Sequence, residues 1–346
     1  MLKLKGGYAF KSEKFQDSGV PVVRISNLPQ NSYSVDLSDC VYYECGNYQN
    51  YTVKNGDLLI AMSGATTGKT AIYRYDYPAY LNQRVGLFAP KELVHNQFLY
   101  PIVESKTFIS QLGSKLVAGA QPNISSQDIE TIAVGLPSKE EQIKIAHLFE
   151  LLNQKIETQS KIIEEQETLL KSLADSLISS QVANMAINDC VVARSSAMKE
   201  SELENSGPFP VFGASGLCGY SNEALEESDS ILVTKDGSGV GTCQYATGAH
   251  SFLGTLCSLT AKEGVYLPYV YYALLNFNFA SFKTGLAIPH IYFKDYGKAV
   301  IYCPSYDEQV RIASGLEKIE AKIKSDKELL KQYQLQKEYL LSRMFI

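Results

Sequence analysis

The sequence predicts an α+β chain with two tandem globular domains related by a pseudo-twofold axis. Each domain is followed by a long helix, and the two helices pair as an antiparallel coiled coil. Three observations predict this organisation: an internal repeat at an offset of 167 residues, a helix start signal in each copy, and near-heptad spacing of apolar residues after each start. We expect the globular domains at residues 1–135 and 183–302, and the helices at residues 136–182 and 303–346.

The repeat is clearest where each domain passes into its helix. Leu136–Ala146 reads LPSKEEQIKIA, and Cys303–Ala313 reads CPSYDEQVRIA, and the two segments align without a gap. In both copies a serine follows a proline, and a glutamate stands three residues after the serine (Ser138–Glu141 and Ser305–Glu308). This pattern is typical of a capping box, in which the two side chains satisfy the free amides of the first helical turn. The sequence therefore predicts that both helices begin here.

The apolar residues after each start recur at the spacing of a coiled-coil seam. About 41 helical residues at about 1.5 Å each would form a rod of roughly 60 Å, which we interpret as a spacer. Polar residues in the seam weaken it but can fix its register, for example through an antiparallel Gln pairing or an Asp–Lys pairing. The expected seam positions are Leu152, Ile156, Gln159, Ile163, Gln166, Leu170, Leu173 and Leu177 in the first helix, and Ile319, Ile323, Asp326, Leu330, Tyr333, Lys337, Leu340 and Met344 in the second.

The two globular domains share an outline of short strands with one or two helices. Alternating or continuous apolar runs between turn residues predict the strands, and longer apolar segments predict the helices, near Asn96–Leu112 and Leu267–Ala280. The predicted strands are Val20–Ile25, Tyr51–Val53, Asp57–Met62, Thr70–Arg74, Val85–Phe88 and Ile132–Leu136 in the first domain, and Val211–Phe212, Ser230–Thr234, Thr242–Tyr245, Leu256–Leu259 and Ala299–Tyr302 in the second.

Composition limits the classes to which the chain can belong. Hydrophobic residues make up 45% of the 346 residues and charged residues 20%, which is typical of a globular protein. The net charge is −5, which excludes a freestanding protein that binds DNA through a broad basic surface. The seven cysteines are scattered without a CxxC pair and predict reduced thiols rather than disulfides or zinc ligands. With no apolar run of 18 residues and no signal-peptide pattern at the N-terminus, we expect a cytoplasmic protein outside the membrane.

One segment resembles a nucleotide-binding loop. Asp57–Thr70 reads DLLIAMSGATTGKT, but the phosphate-loop pattern needs glycine at the position of Ser63, and the residues that follow favour a strand. The equivalent stretch Thr234–Thr242 keeps the glycines without the GK[ST] ending. We therefore interpret the segment as a glycine turn between strands, with a P-loop enzyme using Ser63–Thr70 as one alternative. No other catalytic motif is present, and the four histidines lack ligand or triad spacing, which indicates a non-catalytic protein.

The repeated LPSxxEQxxIA and CPSxxEQxxIA segments, each followed by a long helix, resemble the specificity subunit of type I restriction-modification systems over nearly the whole chain. Phrases inside the globular domains are similar to that family's recurring core. These phrases are GVPVVRISNL (Gly19–Leu28), GDLLIAMSG (Gly56–Gly64), LNQRVGLF (Leu81–Phe88), PNIS (Pro122–Ser125) and PFPVFGASG (Pro208–Gly216).

The resemblance implies a function and a set of partners. Each globular domain would be a target recognition domain that reads one half of a split site in double-stranded DNA. The helices would set the unread gap and dock two DNA methyltransferase (M) subunits, and a restriction and motor (R) subunit would join for cleavage. S-adenosylmethionine, ATP and Mg²⁺ would then be bound by those partners and no cofactor by this chain. We expect the M subunits to supply the basic surface that this acidic chain lacks.

Residues that could contact DNA follow from the chemistry of the major groove. Arg and Lys can pair with guanine, and Asn or Gln with adenine, while other polar side chains bind phosphates. The candidates are Lys11, Arg24, Asn27, Lys69, Arg84 and Gln121 in the first domain, and Ser215, Lys235, Lys283, His290 and Tyr292 in the second.

The first copy departs from the family's pattern at its start. Met1–Gly7 shows no counterpart of the leading strand region Met185–Ala193 of the second copy, so we expect the first domain to be incomplete or to borrow that edge. This leaves one further alternative, a silent or orphan specificity cassette that acts only as a coiled-coil scaffold.

Overall fold

The computed structural model describes residues 2–29, 33–116, 123–285 and 288–345, and the chain forms two compact units. Unit 1 contains the residues up to Lys161 together with those from Glu328 onward, and unit 2 contains Ile162–Lys327. Each long helix therefore contributes one part to unit 1 and the other part to unit 2. The four-segment division at residues 135, 182 and 302 stays a prediction from the sequence.

Unit 1 contains two four-stranded sheets. The first has the strand order β1-β8-β5-β6 and is antiparallel throughout, and the second has the order β3-β2-β7-β4 with β2 and β7 parallel. The elements are β1 (Leu2–Gly6), β2 (Val20–Val23), β3 (Val41–Tyr43), β4 (Thr52–Val53), β5 (Leu58–Ala61), β6 (Thr70–Ile72), β7 (Ala79–Leu81), β8 (Val85–Pro90), α1 (Leu99–Glu104), α2 (Lys106–Leu116), α3 (Ser126–Glu130) and the start of α4 (Lys139–Ala174).

Unit 2 repeats this topology. Its antiparallel sheet has the order β10-β16-β13-β14, its second sheet has the order β12-β11-β15 with β11 and β15 parallel, and β17 pairs with β9. The elements are β9 (Met185–Ala186), α5 (Ile187–Cys190), β10 (Val191–Ser195), β11 (Phe209–Gly213), β12 (Gly216–Ser221), β13 (Ser230–Thr234), β14 (Cys243–Ala246), β15 (Ser251–Phe252), β16 (Leu256–Ala261), α6 (Leu267–Leu275), α7 (Phe293–Tyr296), β17 (Val300–Ile301) and the start of α8 (Tyr306–Met344).

The N-terminal residues supply the strand that the sequence analysis found missing. β1 pairs with β8 at the edge of its sheet, as β10 pairs with β16, so the expectation of a missing edge is wrong for the part of Met185–Ala193 that belongs to β10. The short β9–β17 pair has no counterpart among the described residues of unit 1. The predicted strand Ile132–Leu136, which corresponds to the region of β17, does not form, and no described strand of unit 1 pairs with it.

The central strand β5 explains why both sheets of unit 1 share a core. All four of its residues are buried, as expected for a strand covered on both faces. Leu58 and Ile60 pack into the cluster that contains α1 and α2, and Leu59 and Ala61 pack into the cluster beneath the second sheet. This two-residue alternation follows from the pleat of a strand.

A buried glutamine joins each globular part to the start of its helix. Gln142 is 1% exposed; its Oε1 accepts from His95 N at 2.8 Å, and its Nε2 donates to Pro137 O at 3.0 Å. Gln309 is 2% exposed and repeats the pattern with Tyr266 N at 2.9 Å and the carbonyl of the preceding proline. Because a buried amide needs partners, these hydrogen bonds account for the glutamine of the repeated EQ motif.

α4 begins at Lys139 and α8 at Tyr306, each directly after the predicted capping serine. Ser138 Oγ accepts from Glu141 N at 3.3 Å, which is one of the two hydrogen bonds of a capping box. Glu308 does not reach back to its helix start, because its carboxylate accepts from the guanidinium Nε of Arg311 at 2.8 Å.

The two helices run antiparallel and pair along the predicted seam. In unit 2 the amide of Gln166 donates to the carboxylate of Asp326 at 2.9 Å, so two polar residues of the predicted seam do meet, although as a Gln–Asp contact and not as the Gln pairing or Asp–Lys pairing that the sequence suggested. The last predicted seam residue in each helical segment is wrong: Leu177 is 40% exposed and Met344 38%, while Ile178 and Leu341 are buried. At Leu177 a π-helical turn, Asp175–Ser179, causes the shift, because it adds a residue to the turn and rotates the following side chains.

The last turn of α8 and the residue after it complete the core of unit 1. The ring of Phe345 lies 5.8 Å from that of Phe98 and 6.2 Å from that of Phe149. Lys337 is 4% exposed and pairs with Glu104 of α1 at 2.7 Å, so this predicted seam lysine binds the globular part of unit 1. Among the described residues, no helix combines the length and apolar character needed to cross a membrane.

Candidate nucleic-acid interface

Each unit has a glycine hairpin at the end of its antiparallel sheet, between β5 and β6 in unit 1 and between β13 and β14 in unit 2. Gly64 and Gly68 have φ of +85° and +86°, and Gly237 and Gly241 have φ of +96° and +91°. Residues that carry a Cβ rarely adopt this left-handed backbone conformation, which explains why both hairpins have glycine at these positions. In both hairpins the second glycine donates its N–H, at 2.8 Å, to the last carbonyl of the preceding strand.

The hairpin of unit 1 is not a phosphate-binding loop. β6 follows it directly, whereas a phosphate loop opens a helix whose N-terminus faces the phosphates. Lys69 lines a cavity beside Tyr33 and Lys337, and its Nζ is buried without a hydrogen-bond partner among the described residues. The P-loop alternative is therefore contradicted by the local fold.

In unit 1, two segments pair with the residues that follow β5. Met62 N donates to Arg84 O at 2.9 Å, and Met62 O accepts from Ile124 N at 2.8 Å. Ser63 forms an antiparallel bridge with Asn123. These contacts create a polar groove of about 830 Å³, which we name groove 1. Groove 1 is lined by Met62, Ser63, Gly64, Ala65, Gln83, Arg84, Asn123 and Ile124.

The position of Asn123 is fixed by the helix that follows it. Ser125 caps α3: its Oγ accepts from Asp128 N at 3.1 Å, and the Asp128 carboxylate accepts from Ser125 N at 2.9 Å. The hydrogen bonds from the hydroxyl and the amide of Ser125 hold the pKa of Asp128 below its ordinary value. Asn123 itself is exposed, two residues before this cap.

Unit 2 builds the same backbone arrangement with other side chains. Lys235 N donates to Thr255 O at 2.9 Å, Lys235 O accepts from Ile291 N at 2.9 Å, and Asp236 forms an antiparallel bridge with His290. We name this surface 2, and define it by the residues Lys235, Asp236, Thr255 and His290, which take the places of Met62, Ser63, Arg84 and Asn123.

Of the unit 1 candidates that the structure describes, only Arg84 lines groove 1, where it is exposed. Lys11 is exposed in the turn after Tyr8, whose bridge to Asn82 places that turn near the loop of Arg84. Lys69 faces the separate cavity described above.

The candidates in the turn after β2 hold the turn together. Asn27 is 2% exposed, its Oδ1 accepts from Arg24 N at 2.9 Å, and its Nδ2 donates to Asp36 O at 2.9 Å. The half-buried guanidinium of Arg24 donates to Asp39 O at 3.4 Å. A DNA contact by Asn27 would require the turn to open, so we leave it out of the interface. Gln121 lies outside the described residues.

The unit 2 candidates are closer together. His290 also bridges Thr284, the residue after the exposed Lys283, and its ring lies 5.3 Å from the ring of Tyr292. Tyr292 is 47% exposed. Ser215 is exposed in the turn between β11 and β12, apart from this backbone network.

Sequence reasoning missed Gln83 and Asn123 in unit 1 and Asp236 and Thr255 in unit 2. The repeat itself could have indicated Asn123, because Pro122 and Pro289 align and His290 was already a candidate. Within the described ranges, no group of three or more His, Cys, Asp or Glu side chains could hold a metal ion.

Comparison with known proteins identifies related chains. The sequence matches the family model described as the type I restriction modification DNA specificity domain over residues 1–168 and 180–334. It is similar to the type I restriction enzyme MjaVIII specificity subunit of Methanocaldococcus jannaschii, with 27% identity over 54% of this chain and 46% of that protein. It is also similar to the EcoAI specificity subunit of Escherichia coli, with 30% identity over 49% of this chain and 30% of that protein. The chain thus spans less than half the length of these curated relatives.

Two solved structures share the fold. The type I restriction-modification S subunit from M. genitalium matches with a TM-score of 0.69 and 18% identity, over 100% of this chain and 94% of that one. A chain from a study of complex assembly and conformational transition of the type I R-M system matches with a TM-score of 0.53 and 15% identity, over 98% of this chain and 96% of that one.

Proposed function

Because the chain belongs to the family of type I restriction-modification DNA specificity domains, we propose that its two units each read one half of a split site in double-stranded DNA. The chain is a specificity subunit with two tandem recognition domains. In this role it recognises DNA and leaves catalysis to its partners.

The observation that supports the proposal most directly is the shared framework of groove 1 and surface 2. The same backbone hydrogen bonds and bridges recur in both units, but the side chains differ at each equivalent position. Backbone contacts to phosphate position a reader on DNA, while side chains at base edges give it specificity. One framework with two sets of side chains is what a site of two different halves requires.

The paired helices have a second proposed role. α4 and α8 set the unread gap between the half-sites and dock two M subunits, to which an R subunit is added for cleavage. Apolar residues of α4 outside the seam support docking of protein partners, since Leu148 and Leu151 in unit 1, and Leu169 in unit 2, are 41%, 46% and 50% exposed. S-adenosylmethionine, ATP and Mg²⁺ are then held by those partners.

The test is methylome sequencing of a host that expresses this chain with its M subunit, compared with a host that expresses the M subunit alone. A new split motif supports the proposal, and exchange of residues 183–302 for those of a relative must then change one half of the motif only. A stable complex that yields no motif would instead support the silent cassette, a coiled-coil scaffold that reads no DNA. Failure to bind the M subunit would contradict the docking role.

A further inference from the structure

We infer that Arg84 and Asn123 determine the base specificity of unit 1, with Arg84 reading a guanine and Asn123 an adenine in the same half-site. This inference rests on the proposed function and goes beyond it by naming the residues and the bases.

Arg84 differs from the other arginines of the chain in what surrounds its guanidinium group. The other five each make a hydrogen bond, an ion pair or a ring contact within their unit: Arg24, Arg74, Arg194, Arg311 and Arg343. The side chain of Arg84 is exposed and makes no such contact with any described residue. Its five donors are therefore available to a ligand, and the guanidinium fork matches the O6 and N7 acceptors of guanine.

Asn123 is held opposite Arg84 by backbone contacts alone. The Ser63–Asn123 bridge and the Arg84–Met62 hydrogen bond attach both residues to the segment that follows β5. The Asn123 side chain is exposed and makes no hydrogen bond to a described residue, so its amide can pair with N6 and N7 of adenine.

The chemistry of groove 1 favours an electron-rich base edge. None of its eight lining residues is acidic, and the hydroxyl of Ser63 is buried without a hydrogen-bond partner among the described residues. A buried polar atom without a partner is unfavourable, so a ligand that enters the groove gains by satisfying it. A guanine edge carries two acceptors in the major groove, which can accept hydrogen bonds from the Arg84 guanidinium and the Ser63 hydroxyl.

Surface 2 lacks this combination at the equivalent positions. Thr255 stands in the place of Arg84, and Asp236 adds a carboxylate where unit 1 has Ser63. No bidentate guanidinium contact can be made from Thr255. The Arg84–Asn123 pair therefore belongs to unit 1 and has no equivalent on surface 2. Substitutions in this pair must leave recognition of the second half-site unaltered.

The experiment compares the wild-type chain with Arg84→Ala, Asn123→Ala and the control Lys106→Ala, each expressed with the M subunit. Lys106 is an exposed cation at the start of α2 and does not line groove 1. Thermal unfolding and co-purification with the M subunit verify that each variant folds and assembles. The readout is the methylated motif and the relative rate of methylation of oligonucleotides that differ at one base.

We expect Arg84→Ala to relax one guanine of one half-site, and Asn123→Ala to relax one adenine of the same half-site. Each change should reduce discrimination at that base roughly 5- to 150-fold, as expected for loss of a bidentate contact. The other half-site, the gap and the Lys106→Ala motif stay unchanged. A defined wild-type motif that neither variant alters, or that Lys106→Ala alters equally, overturns the inference while the proposed function stands. A wild-type complex without any motif overturns the proposed function first.

Discussion

Replacement of Lys337 by methionine is expected to destabilise unit 1 strongly. The Lys337 Nζ lies 2.7 Å from the Glu104 Oε1 and 3.5 Å from the centroid of the Tyr33 ring, and the side chains of Lys337 and Glu104 are 5% and 18% exposed. Burial lowers the pKa of Lys337 and raises the pKa of Glu104, and the attraction between the two charges opposes both shifts. Removal of the lysine leaves a buried carboxylate without its cation.

Breaking a buried ion pair from one side costs about 3–5 kcal/mol, whereas replacing both partners with apolar residues of similar volume is about neutral or stabilising. We therefore expect Lys337→Met to lower the free energy of unfolding of unit 1 by about 3–5 kcal/mol, and Lys337→Met with Glu104→Leu to recover most of that loss. Urea unfolding followed by circular dichroism measures both. A loss below about 1 kcal/mol for the single variant, or a double variant less stable than the single, would refute the reasoning.

The stability loss of Lys337→Met should depend on pH in a defined direction. Without Lys337, burial raises the pKa of Glu104 unopposed above its ordinary value of 4.5, so the native state binds more protons than the unfolded state in the window above 4.5. The contribution of Glu104 to stability is then fully present below that window and is lost as the pH rises through the native pKa. The deficit of Lys337→Met relative to the double variant should therefore shrink as the pH falls towards 4.5. A deficit independent of pH would contradict the prediction.

Three further predictions concern the hairpin, the seam and the gap. Gly237→Ala should lower the free energy of unfolding by about 1–2 kcal/mol from backbone strain alone. Gly241→Ala should lower it by about 1–3 kcal/mol more, because the added Cβ would lie 2.8 Å from the Phe279 Cβ. Equal melting temperatures of the two variants would contradict this difference. Asp326→Ala should cost about 1–3 kcal/mol in urea unfolding by leaving the Gln166 amide without its acceptor, and unchanged stability would refute it. Seven residues inserted after both Lys161 and Lys327 lengthen each helix by about 10.5 Å, which should widen the methylated motif's gap by about three base pairs; an unchanged gap would exclude the helices as the spacer.

Local signals in the sequence predicted much of the fold. Ser230–Thr234 forms β13 with the predicted bounds, since a run of consecutive β-branched and apolar residues near turn residues describes a strand buried on both faces. The helix starts followed from the capping pattern, although Glu308 turned to Arg311 instead of its own cap. The strand β1 was missed although LKLKG alternates as a strand should, because the comparison used sequence similarity to Met185–Ala193 rather than this periodicity.

The candidate interface was harder to predict because its residues come from separate segments. Arg84 and Asn123 lie 39 positions apart and are joined, among the described residues, through Met62 and Ser63, a pairing that no local pattern encodes. Asn27 was a reasonable candidate by residue type, yet its amide is used by the turn that it stabilises. Residue type indicates which chemistry a side chain can perform, and burial decides whether a ligand can reach it.

The contribution of Phe345 and Lys337 to the core of unit 1 has a consequence for synthesis on the ribosome. Unit 2 is one continuous stretch, Ile162–Lys327, and can fold as it emerges, but unit 1 lacks its residues from Glu328 onward until unit 2 has been translated. At about 5–20 residues per second, the nascent first unit waits roughly 10–30 s with an incomplete core. A nonsense or frameshift mutation between the codons of Glu328 and Lys337 would therefore damage unit 1, which is encoded first, and leave unit 2, which is encoded just before the mutation, largely intact.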